Sequence, residues 1–361
     1  MIIVYPKGHG RGAIVMKRSI DGGLTWSDRL PVPESWSTSL EVPTIYRVVD
    51  PAGVKRLIMF SGLYPVRMAV SEDDGGSWTE LEPIGNFGGI VAMADLLLLK
   101  DGSYAAFFHD QGKYLTKDGV PQKWMKVYKC TSNDGGLTWS KPEYVTSHPK
   151  AHLCEPGLIR SPDGNQIAML LRENTRKYNS FIVFSDDEGR SWSEPRELPA
   201  ALTGDRHKLR YAPDGRIVTV FRDQAYVSAT WGDFVAWVGT YDDLKNGKEG
   251  EYRVRLKDNK HGPAQKVRSA DCGYPGLELL PDGTFIATTY GHWDAGEQPY
   301  ILSVRFRLEE IDEMLERRLQ LGDNENEVGL ASSRAPEVLL RLPRVWYVNA
   351  LRSLSDFQTR Y

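Results

Sequence analysis

Cysteine is scarce in this chain, with three residues of that type among 361. Cys130, Cys154 and Cys272 are widely spaced and form no C-x-x-C pair. This pattern argues against a disulfide framework and against a structural zinc site. No EF-hand loop or His-rich tract is present either, so the sequence predicts no metal and no other cofactor. Free thiols are typical of a reducing compartment.

The chain also lacks an excess of charge of one sign and any long apolar run. Its formal net charge is −3, whereas non-specific binding of nucleic acid needs a strongly basic face. An apolar run of about 18 residues, which a membrane span requires, is missing. The first residues, MIIVYPKGHGRG, do not resemble a signal peptide. We expect a cytoplasmic protein as the sequence is written, or a periplasmic or secreted one if the natural chain begins upstream.

One short motif, S-x-D-x-G-x-x-W, occurs four times. Each copy follows a short strand-like run that ends in Ser, such as SFIVFS before the fourth. Asp and Ser side chains bond nearby amides and Gly supplies positive φ, so the motif predicts a turn with a structural Trp. The motif aspartates, which are 52, 61 and 53 residues apart, are Asp21, Asp73, Asp134 and Asp187.

A second signal repeats in register with the first: a D-G turn followed by an alternating strand, as in KDGSYAAFF and PDGRIVTVF. Each unit therefore predicts four antiparallel strands, with the Asp/Trp turn after the third. Four units carry the full motif, a fifth contains VAWVGTYDDLKNG and a sixth YILSVRFRLEE. Six units of roughly 50 residues predict an all-β fold, a six-bladed β-propeller with four-stranded antiparallel blades.

We expect this propeller to span residues 1–308, followed by a short helical C-terminal tail over residues 309–361. The segment LEEIDEMLERRLQL, from Leu308 to Leu321, has the charge and apolar spacing of an amphipathic helix. EVLLRL (337–342) and RVWYVNA (344–350) are candidate strands. The first unit lacks an inner strand, and the sequence leaves open whether the tail completes blade one or is an extension.

In a propeller the inner strands line the axis, and their ends converge on one mouth. Polar residues repeat at the two positions that meet there, the ends of the second strands and the starts of the inner strands. Arginine suits a carboxylate ligand because its planar guanidinium group can bond both carboxylate oxygens at once. The residues at the second-strand ends are Lys7, His9, His109 with Asp110, Arg172, Arg222 and Tyr290. Those near the inner-strand starts are Glu41, Asp95, Glu155, Asp205, Arg206, His207, Asp271 and Tyr274.

The four turns resemble the Asp-boxes of the sialidase (neuraminidase) superfamily, and the resemblance covers about residues 1–308. Asp-boxes are structural and also occur in propellers without activity. The superfamily's enzymes hold a substrate carboxylate with three arginines and attack with a tyrosine that a glutamate assists. The resemblance implies Tyr274 as nucleophile, Glu155 as its base, and Arg172 and Arg222 on the carboxylate. It therefore implies a retaining exo-glycosidase that removes a terminal acidic sugar from a glycan.

A tyrosine nucleophile has a physical reason in such enzymes. Sialic acid carries a carboxylate on its anomeric carbon, and a carboxylate nucleophile would meet like-charge repulsion there. A phenol activated by a neighbouring glutamate avoids this repulsion, and these enzymes are exceptions to the rule of two catalytic carboxylates.

The chain departs from the superfamily pattern near its first residues. The first arginine of the triad is missing, and the loop PKGHGRGA offers Lys7, His9 and Arg11 where the family has an acid/base Asp. Either the natural chain begins upstream, or His9 or another residue such as Asp271 takes the acid role, or the substrate is not a sialic acid. Lys7 and Arg11 could bind the carboxylate of a uronic acid.

Two further functions stay open. One is an exo-glycosidase or lyase that uses a His on another sugar, uronic or neutral. The other is a carbohydrate-binding propeller without activity. In every case the partner is a carbohydrate, and the sequence leaves the oligomeric state open. The expected catalytic residues are Tyr274, Glu155, His9 and Asp271. The expected substrate-binding residues are Arg172, Arg222, Arg11, Lys7, His109, Asp110, Arg206, His207, Tyr290 and Glu41.

Overall fold

Five sheets follow one another in the computed structural model, counted over the residues that it describes. Strands that follow one another within a sheet pair antiparallel, and the innermost strands of neighbouring sheets lie side by side. The fold is therefore a β-propeller with mostly four-stranded blades. The described residues are 1–8, 11–116, 123–260, 271–294, 298–320 and 345–346.

The first sheet has six strands within the described ranges. They are β1 (Ile2–Gly8), β2 (Arg11–Arg18), β3 (Leu40–Val49), β4 (Lys55–Gly62), β5 (Arg67–Ser71) and β6 (Glu82–Pro83). Strands β3–β6 form a blade, and the hairpin of β1 and β2 joins it through the pairing of Arg11 with Leu40. The predicted count of six blades is therefore wrong, because the first unit supplies a two-stranded hairpin that shares the next blade's sheet.

The second and third sheets are regular blades of four strands each in the part of the chain described. The second contains β7 (Ile90–Leu98), β8 (Tyr104–Asp110), β9 (Lys126–Ser132) and β10 (Glu143–Ser147). The third contains β11 (Leu153–Arg160), β12 (Ile167–Glu173), β13 (Phe181–Ser185) and β14 (Arg196–Glu197).

The fourth and fifth sheets follow the same order from the axis outwards. The fourth begins with β15 (Gly204–Tyr211), β16 (Ile217–Asp223), β17 (Phe234–Gly239) and β18 (Tyr252–Lys257). The fifth contains β19 (Gly273–Leu279), β20 (Phe285–Gly291) and β21 (Tyr300–Phe306).

The predicted D-G turns join the first two strands of four blades. Their glycines have φ between 76° and 89°, a left-handed conformation that glycine adopts at little steric cost. The Asp side chain accepts amide hydrogen bonds inside the turn, as Asp101 does from Ser103, so these turns are specified by local sequence alone. The four glycines are Gly102, Gly164, Gly215 and Gly283.

The repeated Asp/Trp motif forms the same hydrogen-bonded turn in all four places. In the first copy Ser19 Oγ donates to Asp21 Oδ1 at 2.8 Å and accepts from the N–H of Gly23 at 2.7 Å. The N–H of Thr25 donates to the same Asp21 oxygen at 2.9 Å. Equivalent bonds occur around Asp73, Asp134 and Asp187. The motif is therefore a structural element, as the sequence predicts.

In two of its four copies, the Trp of this motif connects neighbouring blades. Trp139, which follows β9, packs edge-on against Phe60 of β4 with ring centroids 5.5 Å apart. Trp192, which follows β13, packs in the same way against Phe107 of β8 at 5.8 Å. Such aromatic pairs add about 0.5–1.5 kcal/mol beyond the burial of their area. The turn therefore stabilises the contact between one blade and the previous one.

Replacing Asp187 by Asn should lower the free energy of unfolding at pH 7 by about 1 kcal/mol, and this loss should shrink at low pH. Hydrogen bonds from Ser191, and then from Ser185, hold the pKa of Asp187 at about 2, below its usual range. A depressed carboxyl pKa contributes stability above its unfolded value near 4, and the contribution is lost as the pH falls towards 2. Urea unfolding of both proteins from pH 2 to pH 7 measures the difference, which must vary with pH if the turn acts as described.

The fifth unit replaces the Asp/Trp turn with a short helix, α1 (Tyr241–Asn246), between β17 and β18. Thr240 and Asp243 form a reciprocal capping box at its start, and Gly247 ends it in a left-handed conformation with φ of 66°. These are the ordinary start and stop signals of a helix. The residues Tyr241–Asp243 therefore begin a helix in this unit.

The predicted C-terminal helix is confirmed as α2 (Leu308–Gln320). Its apolar side buries Leu308, Ile311 and Leu315 against the fourth and fifth sheets. Arg216 holds it there through a two-pronged pair with Asp312, at 2.6 and 3.1 Å. In the described ranges, no helix has the length and apolar character needed to cross a membrane.

One short strand, β22 (Val345–Trp346), belongs to the predicted tail. It pairs parallel with β18 at the outer edge of the fourth sheet. The candidate strand at 337–342, and the remainder of the one at 344–350, lie outside the described residues. Completion of blade one by these segments stays a prediction.

An ion pair ties three inner strands together at the axis. Lys208 Nζ of β15 lies 2.6 Å from Asp95 Oδ1 of β7, and the other Asp95 oxygen accepts from the N–H of Leu158 on β11 at 2.8 Å. Asp95 was expected at the mouth of the propeller, but it is buried with partners from the third and fourth blades. Its role in this position is to join the inner strands.

Candidate active site

The innermost strand of each described sheet departs from regular pairing near its start. In β11, for example, Cys154 pairs with Arg172 and Gly157 with Leu170, so two residues face one. Such a bulge re-aims a side chain, and bulges are frequent next to active sites. The non-glycine residues with left-handed φ, 46° to 73°, at these five positions are Glu41, Val91, Met93, Glu155, Arg206 and Tyr274.

Two of the bulges carry a recognisable local sequence. Glu155 and Tyr274 each precede a Pro-Gly step, in EPG and YPG. Proline cannot donate to a sheet ladder, so a bulge accommodates it. Glycine at position 157 is needed for space, because a Cβ there would lie 2.3 Å from the carbonyl oxygen of His207 on β15. The sequence thus bends two inner strands where their polar side chains face the axis.

Tyr274 and Glu155 contact each other across the mouth of the propeller. Tyr274 Oη donates to Glu155 Oε1 at 3.1 Å. Burial, and then the charge of Glu155, raise the pKa of Tyr274 well above its usual value. Burial raises the pKa of Glu155, but Arg172, Arg206 and His109 together outweigh it, so the net shift is downwards. The pair is therefore a protonated phenol beside an ionised carboxylate, the arrangement that general-base activation requires.

Arg172 and Arg222 both bind the carboxylate of Asp205. Arg172 Nη1 lies 2.8 Å from Glu155 Oε1, and its Nε lies 3.0 Å from Asp205 Oδ1. Arg222 donates through Nε to Asp205 Oδ2 at 2.9 Å and through Nη1 to Asp271 Oδ1 at 2.9 Å. The two predicted substrate-binding arginines are therefore already engaged with carboxylates of the protein.

A second tyrosine completes this group, which we call the crater. Tyr290 Oη donates to Asp271 Oδ1 at 3.0 Å, and its ring stacks on that of Tyr274 with centroids 6.4 Å apart. Arg206 places its guanidinium over the Tyr274 ring at 5.7 Å and donates to the carbonyl of Ala94 at 2.9 Å. The crater residues are Glu155, Arg172, Arg176, Asp205, Arg206, Arg222, Asp271, Tyr274 and Tyr290.

Three other residues expected to bind substrate are buried behind the crater. His109 Nδ1 accepts from the N–H of Glu155 at 3.3 Å, and burial lowers the pKa of this histidine to about 4. His207 bonds through Nε2 to the carbonyl oxygen of Leu202 at 2.8 Å, and burial likewise lowers its pKa to about 4. Both imidazoles are therefore neutral at pH 7 and support the structure around them.

Asp110 is also fully buried and organises a loop. Its Oδ2 accepts from the N–H groups of Gly112, Tyr114 and Leu115 at 2.9 to 3.1 Å. Glu173 and Asp223, which follow Arg172 and Arg222 at the same strand position, accept amide hydrogen bonds in the same way. Asp110 therefore belongs to a repeated loop cap next to the crater.

The residues expected from the first unit contribute little to the described site. Lys7 is exposed in β1, and Arg11 begins β2. His9 lies outside the described residues.

Glu41, at the bulge of β3, lies near enough for its charge to raise the pKa of Tyr274.

Two crater residues have no assigned role in the sequence analysis. Arg176, in the loop after β12, forms a two-pronged pair with Asp205. It occupies no repeated strand position, so the periodic pattern could not find it. Asp205 appears in the pattern beside Arg206 and His207, but its three arginine partners lie 17, 29 and 33 residues away along the chain.

A cavity of about 990 Å³ adjoins the crater. Half of its lining residues, Tyr274 among them, come from β1, β3 and β19, and Arg206 and Tyr290 also line it. This volume lies in the range typical of small-molecule sites, about 300–1,000 Å³. Across the described part of the chain, no cluster of three His, Cys, Asp or Glu side chains could hold a metal ion.

Solved structures share this fold, whereas no family model and no curated protein matches the chain. A protein of unknown function from Dyadobacter fermentans is 16% identical with a TM-score of 0.59, over 81% of this chain and 83% of that one. The Penicillium chrysogenum alpha-L-arabinanase, complexed with arabinobiose, is 18% identical with a TM-score of 0.54, over 82% and 86%. A leech intramolecular trans-sialidase is 14% identical with a TM-score of 0.53, over 84% and 65%. These likenesses show the fold, a propeller of the kind found in sialidases.

Proposed function

We propose that this protein is a glycoside hydrolase of the retaining exo type, with Tyr274 as nucleophile and Glu155 as its base. The observation that supports this proposal most is the 3.1 Å hydrogen bond from Tyr274 Oη to Glu155 Oε1 between two different blades. Both side chains stand on bulges with left-handed φ, 54° and 50°, a strained conformation that is typical of functional sites. An arabinanase and a trans-sialidase share the fold, which agrees with a carbohydrate substrate.

The reaction has two steps. In the first, Tyr274 Oη attacks the anomeric carbon, its proton passes to Glu155 Oε1, and the bond to the leaving oxygen breaks. In the second, water attacks the anomeric carbon and gives a proton to the group that protonated the leaving oxygen, the bond to Tyr274 breaks, and Glu155 returns its proton to the phenol. Two inversions at the same carbon give a product of retained configuration.

The leaving oxygen also needs a proton from a general acid. His9 and Asp271 are the two candidates that the sequence offers for this role. Asp271 Oδ1 accepts from both Arg222 and Tyr290, and a carboxylate that accepts two hydrogen bonds is poorly placed to donate a proton. We therefore keep His9 as the proposed acid and give Asp271 the task of orienting the other two side chains.

The acidic sugar expected from the sequence is not carried into this proposal. That expectation depended on Arg172 and Arg222 being open to a substrate carboxylate. Both bind Asp205 instead. The two arginines therefore give no support to an acidic substrate.

The test is a panel of aryl glycosides, neutral and acidic, followed by trapping with the fluorinated analogue of whichever sugar turns over. We expect the first-formed product to retain its anomeric configuration by NMR, and the trapped sugar to reside on the peptide that contains Tyr274. A sugar trapped on Glu155 would move the nucleophile to that residue. Binding of saccharides by calorimetry without any product would reject an enzyme and favour a carbohydrate-binding propeller.

A further inference from the structure

Asp205 is the centre of the charges in the crater. Its oxygens contact three described guanidinium groups, those of Arg172, Arg176 and Arg222, and the Arg176 contact is two-pronged. The Asp205 side chain is 3% exposed. Burial would raise the pKa of Asp205, but Arg222, and then Arg172 and Arg176, hold it well below its usual range. Asp205 is therefore a permanent negative charge at neutral pH.

The position of this carboxylate is the one that a substrate carboxylate would take. Arg172 comes from the end of β12, Arg176 from the loop after it, and Arg222 from the end of β16. Guanidinium groups that converge from two blades on one point form a strong site for a planar carboxylate. Here Asp205, at the start of β15 and directly paired with Arg222, provides that carboxylate from the protein itself.

Within the described residues, a second carboxylate finds few unused donors at this point. Arg172 contacts Glu155, Asp205 and Asn174 through its three nitrogens, the last at 2.6 Å, and its buried Nε is the one of the three that makes no hydrogen bond. A ligand carboxylate there would also stand beside the charges of Asp205 and Glu155, and like charges a few ångströms apart repel. Expelling Asp205 would leave largely buried arginines without their partner. An acidic sugar is therefore excluded from this part of the crater.

The polar atoms that remain suit hydroxyl groups. Glu155 Oε2 and Arg206 Nη1 are buried and have no hydrogen-bond partner among the described residues. Tyr274 connects them, since Arg206 covers its ring and its Oη binds the other oxygen of Glu155. One is an acceptor and the other a donor, and a sugar hydroxyl can donate and accept at the same time. Unpaired buried polar atoms of this kind call for a ligand.

We infer that Asp205 sets the substrate class, and that the crater takes a neutral sugar whose anomeric carbon carries no carboxylate. This inference rests on the proposed function, because it concerns the sugar that Tyr274 would attack with Glu155 as its base. It replaces the acidic sugar expected from the sequence. The like-charge reason for a tyrosine nucleophile goes with that sugar, so Tyr274 is proposed here on its contact with Glu155 alone. Asp205 thus acts as a specificity-determining residue that fills the carboxylate position from within.

Calorimetry on the unmodified protein at pH 7 tests this with matched pairs that differ in one group. Methyl galactoside against methyl galacturonate, and methyl glucoside against methyl glucuronate, exchange a CH₂OH for a carboxylate. Methyl arabinofuranoside and methyl sialoside extend the comparison. We expect the neutral member of any pair that binds to bind at least tenfold more tightly. Equal or tighter binding of the acidic member would overturn the inference.

The variant Asp205→Asn provides a second measurement that needs no knowledge of the correct sugar. Removing the charge frees the arginines, so we expect acetate and N-acetylneuraminic acid to bind the variant at least tenfold more tightly than the unmodified protein. No gain in a variant that folds overturns the inference, and if the variant does not fold the matched pairs decide. These are binding experiments, so a protein that prefers neutral sugars without hydrolysing them would refute the proposed reaction alone.

Discussion

Tyr274→Phe should reduce turnover of the best glycoside substrate by roughly 10⁴-fold or more, because the nucleophilic oxygen is gone. Glu155→Gln should reduce it by roughly 10²- to 10⁴-fold, the usual worth of a general base. Tyr274 Oη takes part in one described hydrogen bond, to Glu155, and its loss leaves the aromatic packing in place. We therefore expect substrate affinity to change far less than kcat.

Matched controls separate chemistry from folding in this experiment. Tyr144→Phe removes an exposed hydroxyl that bonds Ser147 on β10, and Glu82→Gln changes an exposed residue of β6. Both control variants should keep full turnover. Steady-state kinetics together with far-UV circular dichroism measures all four variants. Turnover by Tyr274→Phe equal to that of the controls would remove Tyr274 from the mechanism.

Asp205→Ala should lower the free energy of unfolding by about 3–5 kcal/mol, the usual cost of removing one partner of a buried ion pair. Arg172 and Arg222 are 16% and 12% exposed, so they would keep their charges with little water to solvate them. The variant leaves these charges close together without the carboxylate that separates them. Guanidinium chloride unfolding at pH 7 measures the change.

The matched control is an ion pair of the same type on the surface. Asp74 pairs with Arg47 at 2.6 Å, but the two side chains are 76% and 48% exposed. Asp74→Ala should cost less than about 1 kcal/mol, because exposed pairs are screened by water and salt. If the Asp205 and Asp74 variants lose the same stability, the arginines of the crater are solvated more freely than their burial indicates.

The features of the fold that depend on local sequence could be predicted. The Asp/Trp turn is closed by hydrogen bonds that span four residues, such as those between Asp187 and Ser191, so the motif specifies it wherever it occurs. The same holds for the D-G turns and for α2. The repetition of the two turns predicts a propeller in which the Asp/Trp motif joins the third and fourth strands of a blade.

The number of blades could not be predicted, because it depends on pairing between distant strands. The sequence shows that the first unit is short, but not that its hairpin would join β3 through Arg11 and Leu40. Nor does the motif count indicate that the fifth unit would form α1 in place of the turn. Both outcomes are decided by contacts outside the repeat.

The crater could be predicted in part. Strand-end counting groups Glu155, Arg172, Arg222 and Tyr274, and the structure places them within one network of contacts. The bulge of β15 directs Arg206 to the Tyr274 ring and His207 into the core. The alternating pattern of a regular strand does not show which of these two side chains faces the site. Asp205 and Arg176 meet only when two blades are assembled. The ion pair between these two residues is therefore the feature of the crater that no local sequence pattern predicts.

The bulges have a consequence for protein engineering. They carry the functional side chains on backbone that is already released from the regular ladder, so a combinatorial library at Glu41, Met93, Glu155, Arg206 and Tyr274 leaves every hydrogen-bonded rung intact. Their left-handed φ also limits which residues can replace them without backbone strain, and Gly, Asn and Asp tolerate this conformation best. New activities could therefore be introduced on this scaffold without redesigning any of its sheets.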